Sequence, residues 1–201
     1  MTMTEKTMGK DDLSDFHGPR QLGGAMKDGV EAVEGIPVRW VAADAPQGVA
    51  LWLTYLGGSA EETAPMLARL AERGLLAVSF DPPGHGRRRA GGEPWELARE
   101  VLGAFRRQMW PLAGRSVLES LRVLDWVDEH FGVAGPRVAG GVSMGGDVAV
   151  ALAGVDPRID RVAALVATPD WARPGMQTLG RTTSCSIRAR LTATRNGSST
   201  R

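Results

Sequence analysis

The sequence predicts an α/β fold of three layers, with helices on both faces of a doubly wound, mostly parallel sheet. Three observations predict it. Strand-like and helix-like segments alternate from residue 37 to residue 167. The runs at 75–80 and 161–167 are continuously apolar rather than alternating, as strands covered on both faces are. The pentapeptide Gly141-Val142-Ser143-Met144-Gly145 stands where a strand hands over to a helix, a junction such a sheet repeats at each crossover.

The elements follow in order. Residues 1–32 are a polar leader, expected to be disordered. Residues 37–42 and 49–56 read as two strands joined by a short turn through Asp44, Pro46 and Gly48. Ser59, with Glu62 three residues on, can cap a helix start reciprocally, and that helix is expected to run to Arg73 with Met66, Leu67, Leu70 and Ala71 as its apolar stripe. Gly74 stops it, and the strand 75–80 follows at once. After the loop DPPGHGRRRAGG, whose arginine run Arg87-Arg88-Arg89 reads as solvated, residues 94–110 are helical. A second helix is expected from Ser116, paired with Glu119, to Gly132. Residues 137–142 form a strand, 145–153 a small-residue helix and 161–167 a further strand, with Asp156 and Asp160 as turn and surface residues before it.

The bulk numbers narrow the function. A chain of 201 residues, 43% hydrophobic, buries one sizeable core, which is expected over residues 33–176. Its net charge of +1 gives no electrostatic reason to expect nucleic acid. The single cysteine, Cys185, has no disulfide or zinc-spaced companion, which suits a reducing compartment. The first residues hold no apolar signal core, and eighteen apolar residues never run together. The expectation is therefore a cytoplasmic protein, away from membranes, with no metal or organic cofactor.

The serine turn carries the chemistry. A serine forced into a strained conformation between strand and helix leaves room only for minimal side chains two residues to either side, and Gly141 and Gly145 meet that demand. The bland alternative is a glycine-rich turn with an idle serine; the strand-to-helix setting argues against it. Unsatisfied N–H groups at the start of the following helix favour negative charge developing beside Ser143.

Three segments, LTYLGGS, DPPGHG and GVSMGG, each following a strand, resemble the α/β-hydrolase superfamily. Within it the chain is similar to the small bacterial carboxylesterases related to dienelactone hydrolase and the prolyl-oligopeptidase catalytic domain, over roughly residues 37–176. The tryptophan-containing helical insertion at 93–110 looks like those esterases. The resemblance implies that Ser143 is the nucleophile and that the Met144 N–H is one oxyanion donor. It places the second donor in the loop after Leu56, where the family often has His-Gly and this chain has Gly57-Gly58, so the Gly58 N–H is the candidate. The loop that holds His85 is usually structural in the family, and Asp170 mimics the acid placement of its lipase-like members.

A serine hydroxyl needs a base within hydrogen-bond reach, and in this fold the order is Ser, acid, His. No histidine follows Ser143. That leaves His85 or a partner chain as the base; His130 reads as a helix-end residue and His17 as part of the leader. From residue 177 the composition shifts to a Ser/Thr/Arg tail without an acidic residue, expected to be disordered, where the family would continue with further strands and the acid and histidine loops. The resemblance therefore implies a C-terminally truncated hydrolase whose last strand becomes a sheet edge. The functional expectation is a serine hydrolase taking a small-molecule ester or acyl substrate, with activity of this chain in question. A non-catalytic binding or interaction protein on the same fold, or a non-functional fragment, are the alternatives.

Overall fold

The computed structural model describes residues 26–167. The described residues form six strands and four α-helices: β1 Lys27–Val33, β2 Ile36–Ala42, β3 Val49–Leu53, α1 Ala64–Ala71, β4 Leu76–Phe80, α2 Pro94–Gly103, α3 Phe105–Phe131, β5 Arg137–Val142, α4 Met144–Val155 and β6 Arg161–Leu165. The strands lie in the order β1-β2-β4-β3-β5-β6. β1 and β2 form an antiparallel hairpin and β2 runs antiparallel to β4, while β4, β3, β5 and β6 are mutually parallel. The parallel part is what crossover helices impose, because a strand re-entering in the same direction must be carried back over a face.

Side-chain alternation sorts the core onto two faces. Val38, Leu51, Leu53, Val78 and Phe80 pack with Val101 of α2, Leu124 and Val127 of α3 and Val148 and Leu152 of α4. Val41, Trp52 and Ala77 point the other way, onto Leu67 and Ala71 of α1. Residues 49–53 and 76–80 are buried throughout, which is why their sequences are apolar without alternation. The outer ends of the sheet are lighter: β1 is exposed along most of its length, and Val162 and Leu165 of β6 are exposed as well.

Several elements depart from their sequence reading. The leader does not reach residue 32, since Lys27 onward is β1 in full register with β2 across a turn in which Glu34 and Gly35 take left-handed φ of 48° and 81°. Its polar sequence hid the strand because six of its seven residues are not buried. The strands at 36–42 and 49–53 are consecutive in the chain yet unpaired with each other, as β4 lies between them. Ser59 and Glu62 do exchange the expected bonds, Ser59 N–H to Glu62 Oε2 at 2.8 Å and Glu62 N–H to Ser59 Oγ at 3.3 Å, but they close a turn and α1 begins only at Ala64.

The helix expected to open at Ser116 is instead the middle of α3, which runs unbroken through Pro111 to the left-handed stop at Gly132. Ser116 is buried and donates to the Leu112 carbonyl at 2.9 Å, the back-bond that lets a serine sit inside a helix. Nor is the arginine run simply solvated. Arg88 makes a bidentate pair with the buried Glu119 of α3, at 2.6 and 2.9 Å, and Arg89 donates to the Gly57 carbonyl at 3.2 Å, leaving Arg87 as the exposed member. Asp156 is likewise a buried residue rather than a surface one, paired through both oxygens with Arg158. No helix of the described residues is long and apolar enough to cross a membrane.

Candidate active site

Ser143 stands between β5 and α4 with φ 52° and ψ −116°, a combination that L-residues rarely adopt. The conformation is held from both sides. Its N–H donates to the Leu165 carbonyl of β6 at 2.8 Å, and its carbonyl accepts the Asp147 N–H at 3.0 Å. The crowding that demands glycine is equally specific. A Cβ at Gly141 would lie 2.6 Å from the Leu53 carbonyl oxygen and from the backbone of Gly145, and one at Gly145 would lie 2.6 Å from the Thr54 carbonyl oxygen. The elbow is therefore pressed against the end of β3, and the half-buried serine is lifted to the carboxyl edge of the sheet.

Met144 is the first residue of α4, so its N–H belongs to the helix's orphan donors, and no described group accepts it. Opposite the elbow, the loop after β3 runs Thr54-Tyr55-Leu56-Gly57-Gly58. The Gly58 N–H donates to the Tyr55 carbonyl at 3.0 Å and closes a tight turn, whereas no described group accepts the N–H of Leu56. Tyr55 donates its hydroxyl to Glu62 at 3.2 Å; burial, the neighbouring Glu62 charge and that bond all raise its pKa, which keeps it a neutral donor.

The loop after β4 is fastened to this one by a single carboxylate. Asp81, 3% exposed, accepts the Ala60 N–H on one oxygen at 2.7 Å and the Arg87 N–H on the other at 2.8 Å. Sequence reading passed over Asp81, though its place at the end of an apolar strand was a usable signal. His85 is completely buried in the same loop, with Nδ1 on the Pro83 carbonyl at 2.9 Å and Nε2 without a partner. Burial lowers its pKa, outweighing the Pro83 bond and the Asp81 charge, so its ring is neutral. No hydrogen bond joins it to Ser143. His130 is remote from the elbow by topology, on the last turn of α3, where Nδ1 meets the Trp126 carbonyl at 3.1 Å. Asp170, the candidate acid, lies outside the described residues, as do His17 and residues 177–201.

The structure thus gathers Ser143, Met144 and the 54–58 loop at one edge. Strand order, crossover direction and the serine elbow at the carboxyl end of β5 together decide the architecture. The chain has the α/β-hydrolase fold. Among solved structures it is similar to the TT1662 protein of Thermus thermophilus, with 26% identity and a TM-score of 0.56 over 78% of this chain and 67% of that one. A candidate dienelactone hydrolase of Klebsiella pneumoniae matches with 19% identity and a TM-score of 0.57, covering 72% of this chain and 61% of that one. The Pyrococcus furiosus esterase Pf2001 matches with 16% identity and a TM-score of 0.51, covering 75% of this chain and 55% of that one. This chain therefore spans between 55% and 67% of the length of these hydrolase-fold structures. No family model and no curated protein matches the sequence.

Proposed function

We propose that the chain is a serine hydrolase of carboxylic esters in which Ser143 attacks the carbonyl and the Met144 N–H receives the developing oxyanion. The observation that carries this reading is the strained backbone of Ser143, φ 52°, at the mouth of a helix whose first N–H no described group accepts. The dienelactone hydrolase and esterase descriptions of its structural neighbours support the ester class. The second oxyanion donor comes from the 54–58 loop. Gly58 can serve only if its turn onto Tyr55 opens, and Leu56, whose N–H no described group accepts, serves without that change.

Among the described residues no base is joined by a hydrogen bond to Ser143. Acyl transfer to Ser143 should therefore depend on an added base. Mass spectrometry of the full chain with 4-nitrophenyl butyrate, in buffers with and without imidazole, tests this. The expected result is a butyryl group on the peptide containing Ser143, faster with imidazole and absent from Ser143→Ala. Absence of acyl-Ser143 even with imidazole would overturn the proposal. The buried Nε2 of His85, which no described group engages, favours one rival, a non-catalytic binding protein on the same fold. That rival predicts stabilisation of the fold by ester ligands with no acyl-serine at all.

A further inference from the structure

Two ion pairs mark how much of α3 lies against the sheet. Arg137, at the start of β5, holds Asp128, and Arg88, in the loop after the carboxyl end of β4, holds Glu119. Between Glu119 and Asp128 the helix rises about 14 Å, close to the length of the strands it covers. Residues 105–118 therefore extend about 20 Å past the carboxyl edge, the edge on which Ser143 stands. One side of this overhang is buried: Phe105, Met109, Leu112 and Val117 share a core with Val101 of α2. The opposite side is exposed.

That exposed side carries cations without counter-charges. Arg106, Arg107 and Arg115 lie on it, and among the described residues none of them forms an ion pair. From residue 104 to residue 118 the sequence has no acidic residue. The neighbouring acids are engaged: Glu100 accepts the Gln108 amide at 3.2 Å, Glu96 accepts the Glu93 N–H at 3.1 Å and Glu119 is buried against Arg88. Beside the arginines stand large apolar groups in water, Trp95 and Leu102 on α2 and Trp110 and Leu118 on α3. Arg99 lies over the Trp95 ring and Arg106 over that of Trp110, at 4.5 and 5.7 Å.

We propose that the overhang of α2 and the first half of α3 docks on an anionic lipid surface. The guanidinium groups meet the phosphates, and the indoles and Leu118 enter the headgroup layer, the depth that suits a ring with one polar edge. An acidic protein would answer the charges but has no use for unpaired apolar groups set among them. The expectation of a protein away from membranes rested on the lack of a spanning run, and lying on a headgroup layer requires none. The docked face adjoins the edge that carries Ser143. Binding does not depend on the chemistry at that serine, so this inference goes beyond the ester-hydrolase reading.

The experiment is co-sedimentation of the full-length chain with sucrose-loaded vesicles of phosphatidylcholine, alone and in equimolar mixture with phosphatidylglycerol. The expected result is binding to the mixture only, released by molar sodium chloride. Arg107→Gln and Arg115→Gln should each weaken it about fivefold, and Leu118→Ser about threefold. Arg73→Gln, just after α1 in the opposite layer, should leave it unchanged. Brominated phosphatidylglycerol should quench tryptophan fluorescence, and less so in Trp95→Phe combined with Trp110→Phe. Circular dichroism checks that each variant is folded. Equal binding to both kinds of vesicle, or binding that survives Arg107→Gln combined with Arg115→Gln, would overturn the proposal. So would equal affinity for soluble polyglutamate, which would mark an acidic protein as the partner. Vesicle binding and acyl-serine formation are separate readouts, and either can fail alone.

Discussion

At the scale of single residues, the elbow concentrates backbone cost at Ser143. Residues in a backbone region like that of Ser143 cost about 1–3 kcal/mol each, and they persist only where their surroundings over-determine them. Here the determinants are the Leu165 carbonyl on one side, the Asp147 N–H on the other and the two glycines that admit the end of β3. Gly145→Ala should therefore destabilise the chain by about 1–3 kcal/mol, because its methyl would overlap the Thr54 carbonyl oxygen and the backbone cannot move without releasing the serine. Urea unfolding of the variant against wild type measures this, and an unchanged midpoint would mean that β3 and the elbow are not in contact. The serine and its glycines were legible in the sequence because a steric rule ties the three positions together. The burial of His85 was not, since it depends on the packing of a loop whose sequence names no partner.

At the scale of elements, legibility followed burial. β4 and β5 were readable from apolar content alone, and α4 from its glycines and alanines. β1 was not, because an exposed edge strand carries no inward face for a pattern to record. The start of α3 was misread for a different reason. Ser116 and Glu119 have the spacing of a cap, but both are buried, Ser116 bonding back along its own helix and Glu119 reaching across to Arg88. Spacing alone cannot separate a capping pair from a tertiary one. The Arg88–Glu119 pair predicts that Glu119→Ala costs about 2–3 kcal/mol, more than a surface ion pair, because Arg88 would keep its position beside the Asp81 carbonyl without its counter-charge. Arg88→Met combined with Glu119→Leu should recover much of that loss. A double variant no more stable than Glu119→Ala would show that the pair acts through something other than charge.

At the scale of the whole molecule, charge clusters tie the layers together and set the response to acid. Arg137 at the start of β5 makes a bidentate pair with Asp128 of α3, at 2.5 and 2.9 Å, and Arg158 bonds Asp156, Asp125 and Asp128. Hydrogen bonds from Arg137 lower the pKa of Asp128, and those from Arg158 lower that of Asp156 while raising that of Arg158 itself. A carboxylate with a depressed folded pKa stabilises above its unfolded value and loses that contribution as pH falls through the folded one, which here means below about pH 4. His85 acts earlier. Its folded pKa is lowered, so below about pH 6.5 the unfolded chain binds a proton that the folded chain refuses, and stability falls with pH. The expected melting profile is flat above pH 7, declines from about pH 6.5 and drops again below about pH 4. His85→Leu should remove the first decline and leave the second, as thermal melts across the pH range would show. A first decline that survives the substitution would place its origin elsewhere.

The Asp81 clamp has a consequence for how this sheet edge can change over generations. One carboxylate anchors amides from two loops, and one of those loops follows directly on residues 54–58 beside the serine elbow. An insertion in either loop shifts an anchor that the other shares. Substitutions in the two loops should thus be epistatic, and the entrance to the site will drift as a unit or not at all.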